Sequence, residues 1–221
     1  MTTNLSTTLA DLAVTYPAAA RVFHRHGLDF CCGGRRPLAT VCAERGIDAD
    51  ALLNDIELES SSAPSERRWD LAPLDELIAF IVNTYHHRLR ATFPDLIRMA
   101  ARVEERHADK PSCPRGLTRH LELMHEAMLD HLAKEEQVLF PLIISGRGQS
   151  AVGPAHVMER EHDEHARHLG VLRRLTNNFQ PPEGACTTWR ALYLALQQFE
   201  EELMVHIHLE NNVLFRRALA R

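Results

Sequence analysis

The sequence predicts an all-α fold, a four-helix up-down-up-down bundle preceded by a small helical unit. Apolar residues recur in alternating steps of three and four along four long stretches, the periodicity of bundled helices. Turn chemistry separates those stretches at Lys110-Pro-Ser-Cys-Pro, Gly146-Arg-Gly and Pro181-Pro-Glu-Gly. Strand-type alternation is absent.

Residues 58–68 hold three consecutive serines, Pro64 and a run of charge, and read as a linker. Residues 1–57 are then a small helical domain and 69–221 the bundle. In the small domain Pro17 sits early in a short helix that Gly27 stops, and Pro37 and Gly46 bracket another. Between them lies Cys31-Cys32-Gly33-Gly34. A core drawn from fewer than about 60 residues is thin, so this domain leans on its neighbour or on a second copy of itself in a homodimer.

The first bundle helix starts near Pro73, passes Pro94, which should kink it, and ends near His107. The second covers 115–144, the third 151–176, and the fourth runs from Thr187 or Thr188 to 219. Their inward stripes are Val82, His86, Leu89, Phe93 and Leu96; Leu121, Met124, Met128, His131, Glu135, Val138 and Leu142; Ala155, Met158, His162, His165, Leu169 and Leu172; and Leu192, Leu196, Phe199, Leu203, His206, Glu210 and Val213. Every stripe carries a histidine.

Composition narrows the class. The chain is 45% apolar and 25% charged with a net charge of -5, which offers no basic surface for nucleic acid. No apolar run approaches the roughly 20 residues of a membrane span, and the N-terminus lacks signal-peptide character. Five irregularly spaced cysteines fit a reducing cytoplasm better than a disulfide framework.

Two pairs, His131 with Glu135 and His206 with Glu210, place an imidazole and a carboxylate one helical turn apart on an apolar face. Buried unpaired, these groups are costly. In an antiparallel bundle at about 1.5 Å rise per residue, His86, His131, His162 and His206 fall in one layer. Glu135 and Glu210 reach the same layer. Four imidazoles and two carboxylates can hold two metal ions, two histidines on each and both glutamates bridging. Open nitrogen-and-oxygen sites suit iron or manganese, iron being the better redox metal.

His107 lies 21 residues beyond His86 on the same stripe. A continuous helix separates them by about 30 Å, which excludes a shared metal. His165 is either a fifth nitrogen ligand or an edge group beside the site or in solvent. His87, His120, His125, His156, His168 and His208 fall off the stripes and are expected at the surface. Cys31 and Cys32 precede a helix start and are followed by Arg35 and Arg36, surroundings that should favour thiolate. They are candidate catalytic residues in redox or iron-relay chemistry, or a tight-turn pair, or a contact between chains. Cys42 reads as core; Cys113 and Cys186 sit at helix starts.

These residues resemble the hemerythrin-like family of di-iron bundles. Asp29-Phe-Cys-Cys-Gly-Gly ahead of such a bundle is similar to the iron–sulfur cluster repair di-iron proteins of the RIC or ScdA type. His107-Ala-Asp-Lys-Pro-Ser, Lys134-Glu-Glu-Gln-Val-Leu-Phe-Pro, Glu161-His-Asp-Glu, Ala185-Cys-Thr-Thr-Trp and Leu209-Glu-Asn-Asn-Val-Leu-Phe extend the likeness over nearly the whole chain. The resemblance implies a cytoplasmic, stress-induced protein that restores clusters damaged by nitric oxide or oxidants. It implies two non-haem irons bridged by oxo and carboxylates, held by His86, His131, Glu135, His162, His206 and Glu210. Damaged or apo iron–sulfur proteins would be partners, with NO or O2 as small ligands. A nitrogen-oxide reductase, or a sensor responding to NO or O2 at the same centre, is the alternative. Oxygen-carrying hemerythrins place a histidine one turn after the third-helix ligand, where this chain has Ala166, and end with an aspartate five residues after the last histidine, where it has Glu210 at four.

Overall fold

The computed structural model describes residues 5–62 and 67–219. Among them no strand forms beyond a lone bridge between Thr8 and Pro37, so the chain is all-α. None of the described helices is long and apolar enough to cross a membrane. The chain divides into two compact units, residues 1–78 with 204–221, and residues 79–203.

In the first unit, α1 (Leu9–Thr15) is capped by Thr8, whose hydroxyl oxygen accepts from the Asp11 amide at 3.1 Å. Helices α2 (Ala18–Arg25) and α3 (Leu38–Arg45) start after Pro17 and Pro37, as the sequence predicts. Gly46 ends α3 in the left-handed conformation at φ 65°, which glycine adopts without steric cost. Helix α4 (Ala49–Ser62) extends into the stretch read as a linker; residues 63–66 of that stretch lie outside the described residues. Leu9, Leu12, Val22, Phe23, Leu28, Phe30, Leu38, Leu52 and Ile56 form the core, with Met204 and Val205 packed against it. The thin core expected of so short a segment is therefore supplemented from the C-terminal end of the chain. Arg21 and Arg25 tie α2 to Glu59 of α4.

The second unit holds most of the long helices, whose residues before 79 and after 203 belong to the first unit. The first of them comprises α5 (Leu74–Ile81), a π-helical turn π1 (Val82–His86) and α6 (His87–Arg106). It continues through Pro94. The second comprises α7 (Leu117–Lys134), π2 (Glu135–Leu139) and α8 (Phe140–Ile144). The third is α9 (Gly148–Leu175), and the fourth comprises α10 (Thr187–His208), π3 (Leu209–Leu214) and α11 (Phe215–Leu219). Contacts between α6 and α10 descend on one as they ascend on the other: His107 meets Trp189, Phe93 meets Phe199 and Arg88 meets Glu202. Helix α7 runs likewise against α9, His120 meeting His168 and His131 meeting His162. Neighbours are thus antiparallel, as short connections require. Glu104 of α6 caps α7, accepting from the Leu117 amide at 2.7 Å and the Thr118 hydroxyl at 2.8 Å.

The inward stripes correct the sequence reading at the π turns. Val138 is 48% exposed and Leu142 partly so, while Leu139 and Ile143 are buried instead. Val82 is likewise only partly buried, and the stripe passes from Ile81 to His86, five residues on. A π turn holds more residues than an α turn, so it shifts the buried face by one position.

Candidate metal centre

His86, His131, Glu135, His162, His206 and Glu210 are all buried, at 0–1% exposure. Ligand atoms of His86, Glu135, His206 and Glu210 lie within 4.8 Å of one another, and so do those of His131, Glu135, His162 and Glu210. The two groups share both carboxylates. His131 Nε2 and His162 Nε2 are 3.1 Å apart, Glu135 Oε2 lies 3.5 Å from His131 Nε2 and 3.4 Å from His86 Nε2, and His206 Nε2 is 2.9 Å from Glu210 Oε1. Neighbouring ligands on a first-row metal with bonds of about 2.1 Å stand about 3 Å apart, so these spacings fit cation coordination.

The outer nitrogens reinforce that fit. His86 Nδ1 is 2.7 Å from Glu136 Oε1, and His131 Nδ1 is 2.9 Å from Glu161 Oε2. A carboxylate at Nδ1 keeps the proton there and leaves the Nε2 lone pair facing the centre. Each carboxylate is itself anchored. Arg90 donates to both oxygens of Glu136 at 2.9 and 3.1 Å, and Lys134 donates to Glu161 at 2.6 Å. Burial raises the Glu136 carboxyl, but the hydrogen bonds from Arg90 and His86 outweigh it and hold the group below its ordinary value. The Glu161 carboxyl is lowered to about 2, chiefly by its hydrogen bond with His131 and, against the opposing effect of burial, by Lys134.

Glu136 and Glu161 are absent from the stripes because they flank them. Their signal was adjacency: Glu136 follows Glu135, and Glu161 precedes His162. Three of the six central residues also sit at π turns. His86 closes π1, Glu135 opens π2 and Glu210 lies in π3. Such turns inside α-helices occur often at functional sites.

Other histidines fall differently. His107 stands at the far end of α6 from His86, with Cys186 and Trp189. His165 is buried on the stripe, not at an edge or in solvent; its ring meets that of His131 edge-on at 5.0 Å, and it belongs to neither close group. His208, expected at the surface, is 3% exposed. Its ring packs edge-on against Phe30 at 5.5 Å, and burial lowers its pKa to about 4. Helical periodicity does not reveal this, because the partner is the distant Asp29–Gly34 segment.

That segment is tightly built. The Asp29 carboxylate accepts from the Cys31 and Cys32 amides at 3.1 and 3.0 Å and from the Cys31 thiol at 3.3 Å. The two sulfurs are 3.8 Å apart. Asn212, in π3, donates to the Cys31 carbonyl at 3.0 Å and the Phe30 carbonyl at 3.3 Å. A Cβ on Gly34 would stand 2.2 Å from the Phe30 carbonyl oxygen, so only glycine fits. The expectation of thiolate does not hold at Cys31. The hydrogen bond with Cys32, burial and the Asp29 charge raise its thiol well above the ordinary value, and Arg36 is engaged by Glu44 instead. Cys32 is the more accessible of the pair.

Residues 77–218 match the model of the hemerythrin HHE cation-binding domain. The chain belongs to the hemerythrin HHE family. Residues 5–60 match a second model, ScdA_N, described as a domain of unknown function. This hemerythrin-like chain is 48% identical over 211 residues to a protein of Dickeya chrysanthemi (strain Ech1591) named iron-sulfur cluster repair protein YtfE, with 96% of each chain covered. A protein of that name from Yersinia pseudotuberculosis serotype O:1b (strain IP 31758) is 47% identical over the same share. The cation-binding description agrees with the donor set, in which His and Glu side chains converge without cysteine. Nitrogen and oxygen donors of this kind suit non-haem iron.

Proposed function

We propose that the chain is a di-iron protein that repairs iron–sulfur clusters damaged by nitrosative or oxidative stress, and that it does so by supplying iron. The observation that carries the reading is the pair of buried His/Glu groups sharing Glu135 and Glu210, in a chain 48% identical to a named cluster-repair protein. Two non-haem irons bound there, bridged by oxo and the two glutamates, would supply exchangeable, redox-active metal. His131 and His162 would hold one iron, His86 and His206 the other. Glu136 and Glu161 fix the ring orientation and tautomer of His86 and His131.

Ala166 stands where oxygen-carrying hemerythrins have another histidine, which leaves one iron with fewer protein ligands and favours release over reversible oxygen carriage. Cys31 and Cys32 serve this reading as a thiol relay in which Cys32 reacts and Cys31, hydrogen-bonded to Asp29, supports it. Five free cysteines fit a reducing compartment, the cytoplasm. Acceptors are apo or damaged iron–sulfur proteins.

Metal analysis with an optical spectrum tests the centre: two irons per chain and an oxo-bridge band are expected. The Glu135→Ala, Glu210→Ala double variant retaining both irons defeats it. Anaerobic incubation of the iron-loaded protein with a cluster-depleted iron–sulfur enzyme tests donation. Turnover of nitrogen oxides with an electron donor, and no reactivation of the acceptor, would favour catalysis instead.

A further inference from the structure

Two sequence motifs left unused by the metal centre meet at the other end of the second unit. His107 ends α6, and Cys186 directly precedes α10. His107 Nε2 lies 3.2 Å from Cys186 Sγ. The imidazole is braced rather than loose: its ring packs on the fully buried Trp189 with centroids 4.8 Å apart. Its backbone is fixed too, its amide donating to the Val103 carbonyl at 3.1 Å and its carbonyl accepting from the Lys110 amide at 3.0 Å. A nucleophile within hydrogen-bond reach of a base, and the base oriented by a third group, is the arrangement that activates a thiol.

Access distinguishes Cys186 from the other cysteines. It is exposed, whereas Cys31, Cys42 and Cys113 are buried. Burial raises the thiols of Cys42 and Cys113, and the Cys113 thiol turns inward to the Glu104 carbonyl at 3.8 Å. Cys186 stands at the N-terminal end of the 22-residue α10, where the Arg190 side chain donates to the Ala185 carbonyl at 3.1 Å. The 20 residues of α6 place this pair about 30 Å from His86, so it acts separately from the metal centre.

We propose that Cys186 and His107 form a second reactive site, a thiol–imidazole pair that exchanges with low-molecular-weight disulfides. Cys186 Sγ attacks one sulfur of the disulfide R–S–S–R, and its proton passes to His107 Nε2. The new Cys186–S bond forms as the R–S–S–R bond breaks. The bonding electron pair leaves on the second sulfur, which takes the proton from His107 and departs as RSH. The Cys186 thiol is oxidised to a mixed disulfide and the small disulfide is reduced, so no other oxidant is required.

The test uses the full-length, iron-loaded protein with oxidised glutathione as the probe, and reads each cysteine separately by peptide mass spectrometry. Mixed disulfide should form first at Cys186, at a rate roughly ten-fold or more above that of His107→Gln and His107→Ala, because a thiol without a base is only a few per cent thiolate at neutral pH and the thiolate is what reacts. Iron content should be unchanged in both variants, which separates this result from the fate of the di-iron reading. A Cys186 rate no greater than that of an unstructured peptide carrying Ala185-Cys-Thr-Thr-Trp overturns the proposal. So does an equal rate in wild type and both folded variants, or adduct confined to Cys32.

Discussion

The hydrogen bond between Glu161 and His131 should govern how tightly the centre holds iron. The neighbours that pull the Glu161 carboxyl from 4.5 to about 2 favour its charged form by about 3 kcal/mol in all, and His131 is the larger contributor beside Lys134. Removing the side chain frees His131 Nδ1 and its tautomer, but does not strand Lys134, which keeps Asp130 at 2.5 Å. Loss of a carboxylate that orients a metal-bound histidine costs about 10- to 100-fold in affinity. Glu161→Gln preserves an acceptor for Nδ1 and loses only the charge, so it belongs near the lower bound, about 1.4 kcal/mol. Glu161→Ala loses both and belongs near the upper bound, about 2.8 kcal/mol. Anaerobic titration against a competing chelator measures the effect, with a thermal melt of metal-depleted protein to confirm folding. A folded Glu161→Ala variant that binds iron within twofold of wild type would refute the reasoning.

Four further outcomes follow from the same geometry. Ala166→His should slow chelator-driven iron loss several-fold by adding a nitrogen donor one turn after His162; unchanged loss kinetics count against the missing ligand as the cause of lability. Asn212→Ala should raise the rate at which iodoacetamide labels Cys31, because it removes the grip on the Cys31 and Phe30 carbonyls; labelling at the wild-type rate would show that Asp29 alone holds the segment. Burial and the neighbouring His120 depress the pKa of His168 below 6.5, so its stabilising contribution is present above that value and lost as pH falls through the folded value. The midpoint of denaturant unfolding should therefore fall less steeply below pH 6.5 in His168→Gln, and an identical profile would exclude it. Deletion of the exposed Val138 should leave the chain helical, since Leu139 and Ile143 then continue a regular stripe. It should still weaken iron binding by rotating Glu135 and Glu136, and full iron content would assign π2 to register alone.

Much of this arrangement was legible because it rests on local periodicity. The ends of the long helices follow turn residues, and burial of the five stripe histidines and two glutamates follows from steps of three and four. Partners supplied by other helices were less legible. Glu136 and Glu161 lie beside the stripes, and only an antiparallel neighbour at the right height gives them histidines to hold. His208 falls off the apolar stripe, yet it is enclosed by Asn212, one turn on, and by Phe30, from a segment far away in the chain. The Cys186–His107 contact likewise joins residues 79 positions apart. A helical pattern records which face is buried, but not what covers it.

The π turns explain why even the pattern fails where it matters. Along the second bundle helix the buried positions include His131, Glu135, Leu139 and Ile143, three successive steps of four, with Leu132 and Phe140 beside them. At about 100° per residue each step overshoots a full turn by about 40°, so a regular helix would carry Ile143 about 120° away from His131. The wider π2 absorbs that drift. The step of five from Ile81 to His86 is larger still, and π1 spans it. In the fourth helix the steps Leu203, His206, Glu210 and Val213 need no correction, yet π3 forms. There the local demand is different: every residue from Leu209 to Phe215 is buried, and Asn212 must reach the carbonyls of Phe30 and Cys31 while Glu210 faces His206. An α turn places residues two apart about 160° from each other, and unwinding changes that angle. So the irregular turns coincide with His86, Glu135 and Glu210 for a physical reason: each lets a side chain take a position that helical periodicity would deny it.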